Sequence, residues 1–242
     1  MEAILQGLTE AQREAVCHVE GPLLVLAGPG SGKTRVITHR IAYLLAHGIP
    51  ACQILALTFT NKAAEEMRSR VEALVPGQAV WIGTFHRFCA RLLRQYAPLV
   101  GLQENYTIYD ADDSARLLRR VLAELKMDFL RTAPEAVGSA ISWAKNHLIR
   151  PDQYVAQPGH PLGRVVPEAY QAYQTALLSA NAADFDDLLL HVATILQENP
   201  EIRQELDARY RFILIDEYQD TNLAQYAIAR ALSIDYPNLA VT

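Results

Sequence analysis

Leu23-Leu24-Val25-Leu26-Ala27-Gly28-Pro29-Gly30-Ser31-Gly32-Lys33-Thr34 is the stretch that decides the fold. It opens as a short apolar run rich in branched side chains, which reads as a buried strand. It then breaks into a Gly/Pro/Ser loop. At Lys33-Thr34 helical spacing takes over, with Val36, Ile37, Ile41, Leu44 and Leu45 on one face and Gly48 placed to end the helix. Strand, glycine loop and helix form the setting that a phosphate-binding loop requires. Glycines let several backbone N–H groups point into one concavity, and the positive helix end adds to the pull on an anion. In such a loop Lys33 reaches the outer phosphates and the Thr34 hydroxyl ligates Mg2+. The strict pattern has Gly where this chain has Ala27; a methyl group fits there if that residue keeps a strand-like φ.

The 242 residues allow one large or two modest domains, and with 50% hydrophobic residues the chain can bury a substantial core. Its apolar runs are too short to span a bilayer. The N-terminus carries Glu2 and no basic region, so no signal peptide is expected. Cys17, Cys52 and Cys89 are scattered without metal-ligand spacing and read as buried thiols of a cytoplasmic protein. A net charge of −5 excludes a globally basic nucleic-acid binder, so a DNA role needs a local basic track. Arg87, Arg91 and Arg94 lie along one helix flank and could form that track or an ordinary solvated face.

Upstream, Thr9 is placed to cap a helix that runs through Val16 and carries Gln12. Downstream, Ile54 to Thr60 reads as a second buried strand, followed by a helix capped by Asn61 and stopped at Pro76-Gly77. Within that helix Glu66 and Arg70 form an i,i+4 pair. Ala79 to Gly83 is a third strand, and Thr84-Phe85-His86 leads into an amphipathic helix to about Tyr96. Strand and helix alternate three times, the pattern of βαβ crossovers and a parallel sheet.

From about residue 98 the strand signal fades. Helices are predicted at 111–126, capped by Asp110, and at 134–147 and 167–180. A loop between the last two contains Pro151, Pro158, Gly159, Pro161, Gly163 and Pro167. This reads as a helical subdomain inserted into a sheet domain. Asp184 caps a further helix, Asn199-Pro200 begins another, and Phe212 to Ile215 is a fourth buried strand that runs straight into Asp216-Glu217. A helix over 222–231 and a strand at Leu239 to Val241 follow. Acids just after a buried parallel strand sit at its carboxyl end, where open α/β sheets bind ligands. Asp216 would hold Mg2+, directly or through water, and Glu217 would orient and deprotonate an attacking water.

These motifs, in this order, resemble the UvrD/Rep-type DNA helicases of superfamily one. Leu8 to Val16 resembles the family's N-terminal glutamine motif and Ala27 to Thr34 its phosphate loop, which commonly carries Ala at the first position. Thr58-Phe59-Thr60-Asn61-Lys62-Ala63-Ala64 and Thr84-Phe85-His86 resemble its single-strand-contacting segments. Ala183 to Leu188 matches a segment at the end of its helical insertion, and Ile215 to Asn222, I-D-E-Y-Q-D-T-N, is close to diagnostic. The middle, 98–180, is covered only by position and character.

The resemblance implies a P-loop NTPase (RecA-like) α/β fold, a parallel sheet flanked by helices with an inserted all-α subdomain. Residues 1–97 and 184–242 would be the two segments of the ATPase domain and 98–183 the insertion. It implies that Ala27, Gly28, Pro29, Gly30, Ser31, Gly32, Lys33 and Thr34 bind ATP, that Gln12 reads the adenine edge and that Arg35 stacks on the base. Thr58, Phe59, Thr60, Asn61, Lys62, Thr84, Phe85 and His86 would floor a single-strand channel, with Phe59 and Phe85 as stacking faces and Lys62 and Arg87 on phosphate. Phe59 is equally at home in a core, and His86 as a capping histidine.

The implied activity is that of a 3′→5′ DNA helicase of repair or replication acting on single strands and single-/double-strand junctions, with no membrane partner. After Leu239 to Val241 the family continues into a Gln-Ser-Ile-Tyr segment and a second motor domain that supplies arginines to the phosphates. The chain is therefore expected to be a fragment that hydrolyses ATP weakly or not at all. Three other readings use the same residues: a phosphate-loop kinase with a helical lid, a non-catalytic binding module, and the helicase arm of a recombination nuclease.

Overall fold

A computed structural model describes residues 2–127, 133–155 and 162–242. Pro158, Gly159 and Pro161 of the expected loop lie outside the described residues. The elements run α1 (Glu2–Leu5), α2 (Glu10–Cys17), β1 (Leu23–Leu24), α3 (Lys33–Ala46), β2 (Ile54–Thr58), α4 (Asn61–Leu74), β3 (Trp81–Thr84) and α5 (Phe85–Tyr96). They continue β4 (Thr107–Ile108), α6 (Ala111–Glu124), α7 (Pro134–Asn146), α8 (Val165–Ser179), β5 (Ala182–Ala183) and α9 (Phe185–Glu198). The last are α10 (Pro200–Arg209), β6 (Phe212–Ile215), α11 (Leu223–Ala231) and β7 (Leu239–Val241). The chain forms two compact units: Met1–Phe88 with Leu196–Thr221 and Tyr226–Thr242, and Cys89–Ile195 with Asn222–Gln225.

The first unit is built on a parallel five-stranded sheet of order β1-β7-β6-β2-β3. The apolar runs at Ile54 and Phe212 make its central strands, buried along their whole length. On one face Ile54, Ala56, Ile82, Phe212, Leu214 and Ala240 pack against Ile37, Ile41 and Leu44 of α3 and Met67 and Val71 of α4. The alternate residues Leu55, Leu57, Ile213 and Ile215, which point to the opposite face, are equally buried. α2 packs on α3 through Ala15, Val16 and Val36.

Some expectations need correction. The Leu23 run is not a buried strand. β1 is two residues long and, among the described residues, pairs only with β7, and Leu24 and Leu26 stand 61% and 85% exposed at that edge. The cap of α4 is Thr60, whose hydroxyl accepts from the Ala63 N–H at 3.1 Å; Asn61 is the first helical residue. Thr60 takes the extended conformation a cap requires, so the helix starts one residue earlier than a cap at Asn61 would allow. Among the cysteines only Cys89 is buried; Cys17 is half-buried and Cys52 exposed.

The second unit is a helical bundle. Leu117, Leu118, Val121 and Leu122 of α6 pack with Val137, Ile141 and Ala144 of α7 and Val166, Ala169, Tyr170, Tyr173 and Leu177 of α8. Asp110 caps α6 by accepting from the Asp112 and Asp113 N–H groups at 2.9 Å. The middle is not free of strand: Thr107–Ile108 pairs in parallel with Ala182–Ala183, a ladder too short to leave a pattern in the sequence. Arg94 is exposed but tied down. It donates to the Glu104 and Tyr106 carbonyls at 2.8 and 2.5 Å and stacks on the Tyr106 ring. Arg87 and Arg91 are exposed as well.

An unforeseen charge cluster holds this bundle together. Lys145 is fully buried, its ammonium 2.7 Å from Asp184 and 2.8 Å from Asp187. Burial opposes its charge, but the two carboxylates outweigh it and hold its pKa above the ordinary lysine range. Tyr173 donates to Asp184 at 3.1 Å and Gln174 to Asp187 at 3.1 Å. Asp184 also caps α9, accepting from the Asp187 N–H at 2.8 Å.

Candidate functional site

The loop after β1 folds as its glycines permit. Gly30 and Gly32 have φ of +74° and +88°, a region costly for any residue with a Cβ. Gly32 is the N-cap of α3. Ser31 closes the turn, its N–H and its hydroxyl both donating to the Gly28 carbonyl, at 3.3 and 2.6 Å. Ala27 is not among the residues of positive φ, so its methyl group is accommodated as the sequence required. Lys33 folds back and donates to the Ala27 carbonyl at 3.2 Å.

β6 carries the second half of the site. Asp216 follows its last residue and is 3% exposed. Its Oδ2 accepts from the Thr34 hydroxyl at 2.8 Å, across 182 residues of chain. Its Oδ1 accepts from the Thr242 hydroxyl at 2.8 Å. Among the described residues this buried carboxylate is met by neutral hydroxyls and by no cationic side chain. A buried unbalanced carboxylate beside a hydroxyl fits a hard cation with oxygen ligands. No group of three or more His, Cys, Asp or Glu among the described residues could hold a metal alone. An ion here would share its coordination with phosphate oxygens and water, as Mg2+ does.

Glu217 adopts φ +55°, a left-handed conformation that is unusual for a glutamate and typical of strained functional sites. Its carboxylate accepts from the Gln219 side chain. The Tyr218 N–H donates to the Thr242 carbonyl at 2.8 Å, which ties the acidic segment to the end of β7. Residues 27 and 29–35 line one open cavity of about 720 Å3 together with Val25, Leu26, Arg70, Glu217, Gln219 and Thr242. Lys33, Thr34 and Glu217 thus share one rim, and Asp216 reaches it through its bond to Thr34.

Gln12 reaches the same loop. Its Nε2 donates to the Ser31 carbonyl at 2.9 Å, and its Oε1 accepts from the Thr9 N–H at 3.1 Å in a capping box. Five lining residues, Val25, Leu26, Arg70, Gln219 and Thr242, were not among the expected site residues. Arg70 reads as half of a surface pair with Glu66, which it makes, yet it also borders the cavity. Gln219 carries no local signal beyond its place after the acids.

The residues expected to floor a nucleic-acid channel divide in two. Phe59 is half-buried, and Thr60, Asn61 and Lys62 are exposed, all after the carboxyl end of β2. His86 is half-buried in the first turn of α5. Thr58 and Thr84 are buried at 2% and 8% exposure, and the Thr84 hydroxyl accepts from the Arg87 N–H at 3.2 Å. Phe85 offers no stacking face: it is 1% exposed and lies behind Phe59, ring centroids 5.9 Å apart. Phe59 is the aromatic ring left partly open.

The chain is 50% identical over 238 residues to the ATP-dependent DNA helicase UvrD1 of Mycobacterium tuberculosis, covering 96% of this chain and 31% of that protein. It is 42% identical over 241 residues to the ATP-dependent DNA helicase PcrA of Bacillus subtilis, covering 98% of this chain and 33% of that protein. The chain therefore spans about a third of the length of the curated relatives it matches. None of these relatives supports the kinase reading. The family model for the UvrD/REP helicase N-terminal domain matches residues 8–242, and the chain belongs to that family.

Proposed function

We propose that this chain is the ATP-binding and single-strand-binding portion of an ATP-dependent 3′→5′ DNA helicase of cytoplasmic DNA repair or replication. In this reading residues 1–97 and 184–242 form its RecA-like ATPase domain around a helical insertion at 98–183. A second motor domain of the parent completes the site, and the substrates are single strands and single-/double-strand junctions.

In the site, the N–H groups from Gly28 to Thr34 cradle the phosphates, and Lys33 leaves the Ala27 carbonyl to meet the outer ones. Thr34 and Asp216 hold Mg2+, which when bound neutralises charge developing on the terminal phosphate. Glu217 orients the attacking water and takes its proton. Gln12 pairs with N7 and N6 of adenine, and Arg35 lies against the base. Thr58, Thr60, Asn61, Lys62, Thr84 and His86 form the channel floor with Phe59, Lys62 on phosphate and Phe59 on a base.

One observation carries this reading: Thr34 and Asp216 joined at 2.8 Å, with Glu217 on the rim of the same cavity. The test is calorimetric titration of the chain with Mg-ATP. Lys33→Ala should weaken binding by about 1.5–3 kcal/mol, the worth of a hydrogen bond to a charged group. Equal binding by both chains would contradict the reading.

A further inference from the structure

Arg40 lies on α3 and is 1% exposed. Among the described residues no carboxylate pairs with it, and its Nε has no partner. Burial alone lowers its pKa, to about 10. Its guanidinium is instead spent on backbone. Nη1 donates to the Ala15 carbonyl at 3.1 Å and to the His18 carbonyl, and Nη2 to the Val19 carbonyl at 3.2 Å. These carbonyls are the end and exit of α2, where a helix leaves acceptors unsatisfied and its dipole favours a cation. A buried cation without a counter-ion therefore needs a reason other than packing.

The other end of α2 supplies that reason. Gln12 sits in its first turn, its amide 2.9 Å from the Ser31 carbonyl. The helix that carries Gln12 is thus held at its far end by the same helix that begins with Lys33 and Thr34. We infer that Arg40 is a positioning residue for nucleotide-base selection: by clamping the carboxyl end of α2 onto α3, it fixes the Gln12 amide at the height of the base edge. The inference rests on the reading of Gln12 as the adenine-recognising group. Adenine presents an acceptor and a donor to such an amide, whereas guanine presents two acceptors and leaves Oε1 unmatched. The discrimination needs hydrogen-bond distance and alignment, so a small slide of α2 would erase it while leaving the phosphate contacts in place.

The test measures affinities of Mg-ATP and Mg-GTP for the intact 242-residue chain and four variants: Gln12→Ala, Arg40→Met, Arg40→Lys and Ile41→Ala. Thermal unfolding of each is recorded alongside. Ile41 faces the sheet core, so its truncation softens α3 without touching α2. Arg40→Met should lower the ATP:GTP ratio by roughly tenfold, through ATP and not GTP, which is the size of one or two lost hydrogen bonds. Arg40→Lys should give an intermediate ratio, and Ile41→Ala the native one. If Gln12→Ala removes the preference but both Arg40 variants keep it, the inference is wrong and the reading of Gln12 stands. If Gln12→Ala leaves the preference intact, the adenine reading itself fails. If Arg40→Met does not fold, Arg40→Lys decides, and a native ratio there overturns the inference. An equal fall in Arg40→Lys and Ile41→Ala at equal loss of thermal stability also overturns it.

Discussion

Thr34 opens the helix after the glycine loop, Asp216 follows the strand β6, and the hydroxyl of the first donates to the carboxylate of the second at 2.8 Å. The pair exists because two strands of one parallel sheet, β1 and β6 with β7 between them, end at the same edge: one breaks into glycines and the other into acids. Asp216→Asn keeps the shape and a hydrogen-bond acceptor but removes the charge. ATP affinity measured with Mg2+ should fall to the value measured in chelator, while affinity without metal stays near that of the native chain. An undiminished gain from Mg2+ in the variant would place the ion elsewhere.

Gly32 has φ +88°, and a Cβ there would stand 2.9 Å from the Gln12 amide nitrogen. Gly32→Ala should cost about 1–2 kcal/mol from the left-handed conformation alone. It should also dislodge Gln12 and weaken ATP binding. Chemical unfolding and nucleotide titration read the two effects separately, and a variant as stable as the native chain would show that the loop does not hold this shape.

Phe59 and Phe85 touch but should behave oppositely. Phe59→Ala should weaken binding to a fluorescent single-stranded oligonucleotide by about 1–3 kcal/mol, the worth of one stacked base, with little loss of stability. Phe85→Ala, at 1% exposure, should instead cost about 3–5 kcal/mol of stability as a core cavity. Equal effects of the two on oligonucleotide affinity, at equal stability, would argue against the assignment.

Lys145→Met leaves Asp184 and Asp187 facing each other in the bundle without their cation. Removing one partner of a buried ion cluster costs roughly 3–5 kcal/mol. Urea unfolding should show that loss, and Lys145→Met combined with Asp187→Leu should recover part of it, the sign of direct coupling. Additive losses would mean the three groups act independently.

His191 gives the same bundle a pH dependence. Burial lowers its pKa below the ordinary value of about 6.5; Lys145 works in the same direction, and Asp187 and Asp184 work against it. The unfolded chain therefore takes up a proton before the folded one does. The stability this contributes is present above about pH 6.5 and is lost as pH falls below that value. The urea midpoint should drop between pH 7.5 and 5.5, and the drop should be smaller in His191→Asn. An unchanged pH profile in that variant would assign the dependence to other groups.

Much of this was legible in the sequence because the signals are local. A glycine loop between a strand and a helix, acids at the end of an apolar run and Thr9, Asp110 and Asp184 at helix starts each carry their cause within a few residues. The misreadings come from tertiary context. The Leu23 run is apolar enough for a central strand, yet it lies at a sheet edge, which composition does not record. Phe59 and Phe85 are both aromatic residues after a strand, and only packing decides which ring is covered. Arg40 and Lys145 read as ordinary helix-surface cations, because their partners lie on other elements. A buried cation is defined by what surrounds it, and no spacing rule announces it.

The central claim is that the loop, Thr34 and Asp216 converge on one metal–triphosphate. Crystals of the chain grown with Mn2+ and a non-hydrolysable ATP analogue would test it through the anomalous signal of the metal. The account predicts one strong Mn2+ peak at about 2.0–2.2 Å from the Thr34 hydroxyl oxygen, with Asp216 bound to it directly or through a water, and the phosphates over Gly28 to Lys33. A bound analogue whose metal peak lies away from both residues would contradict it.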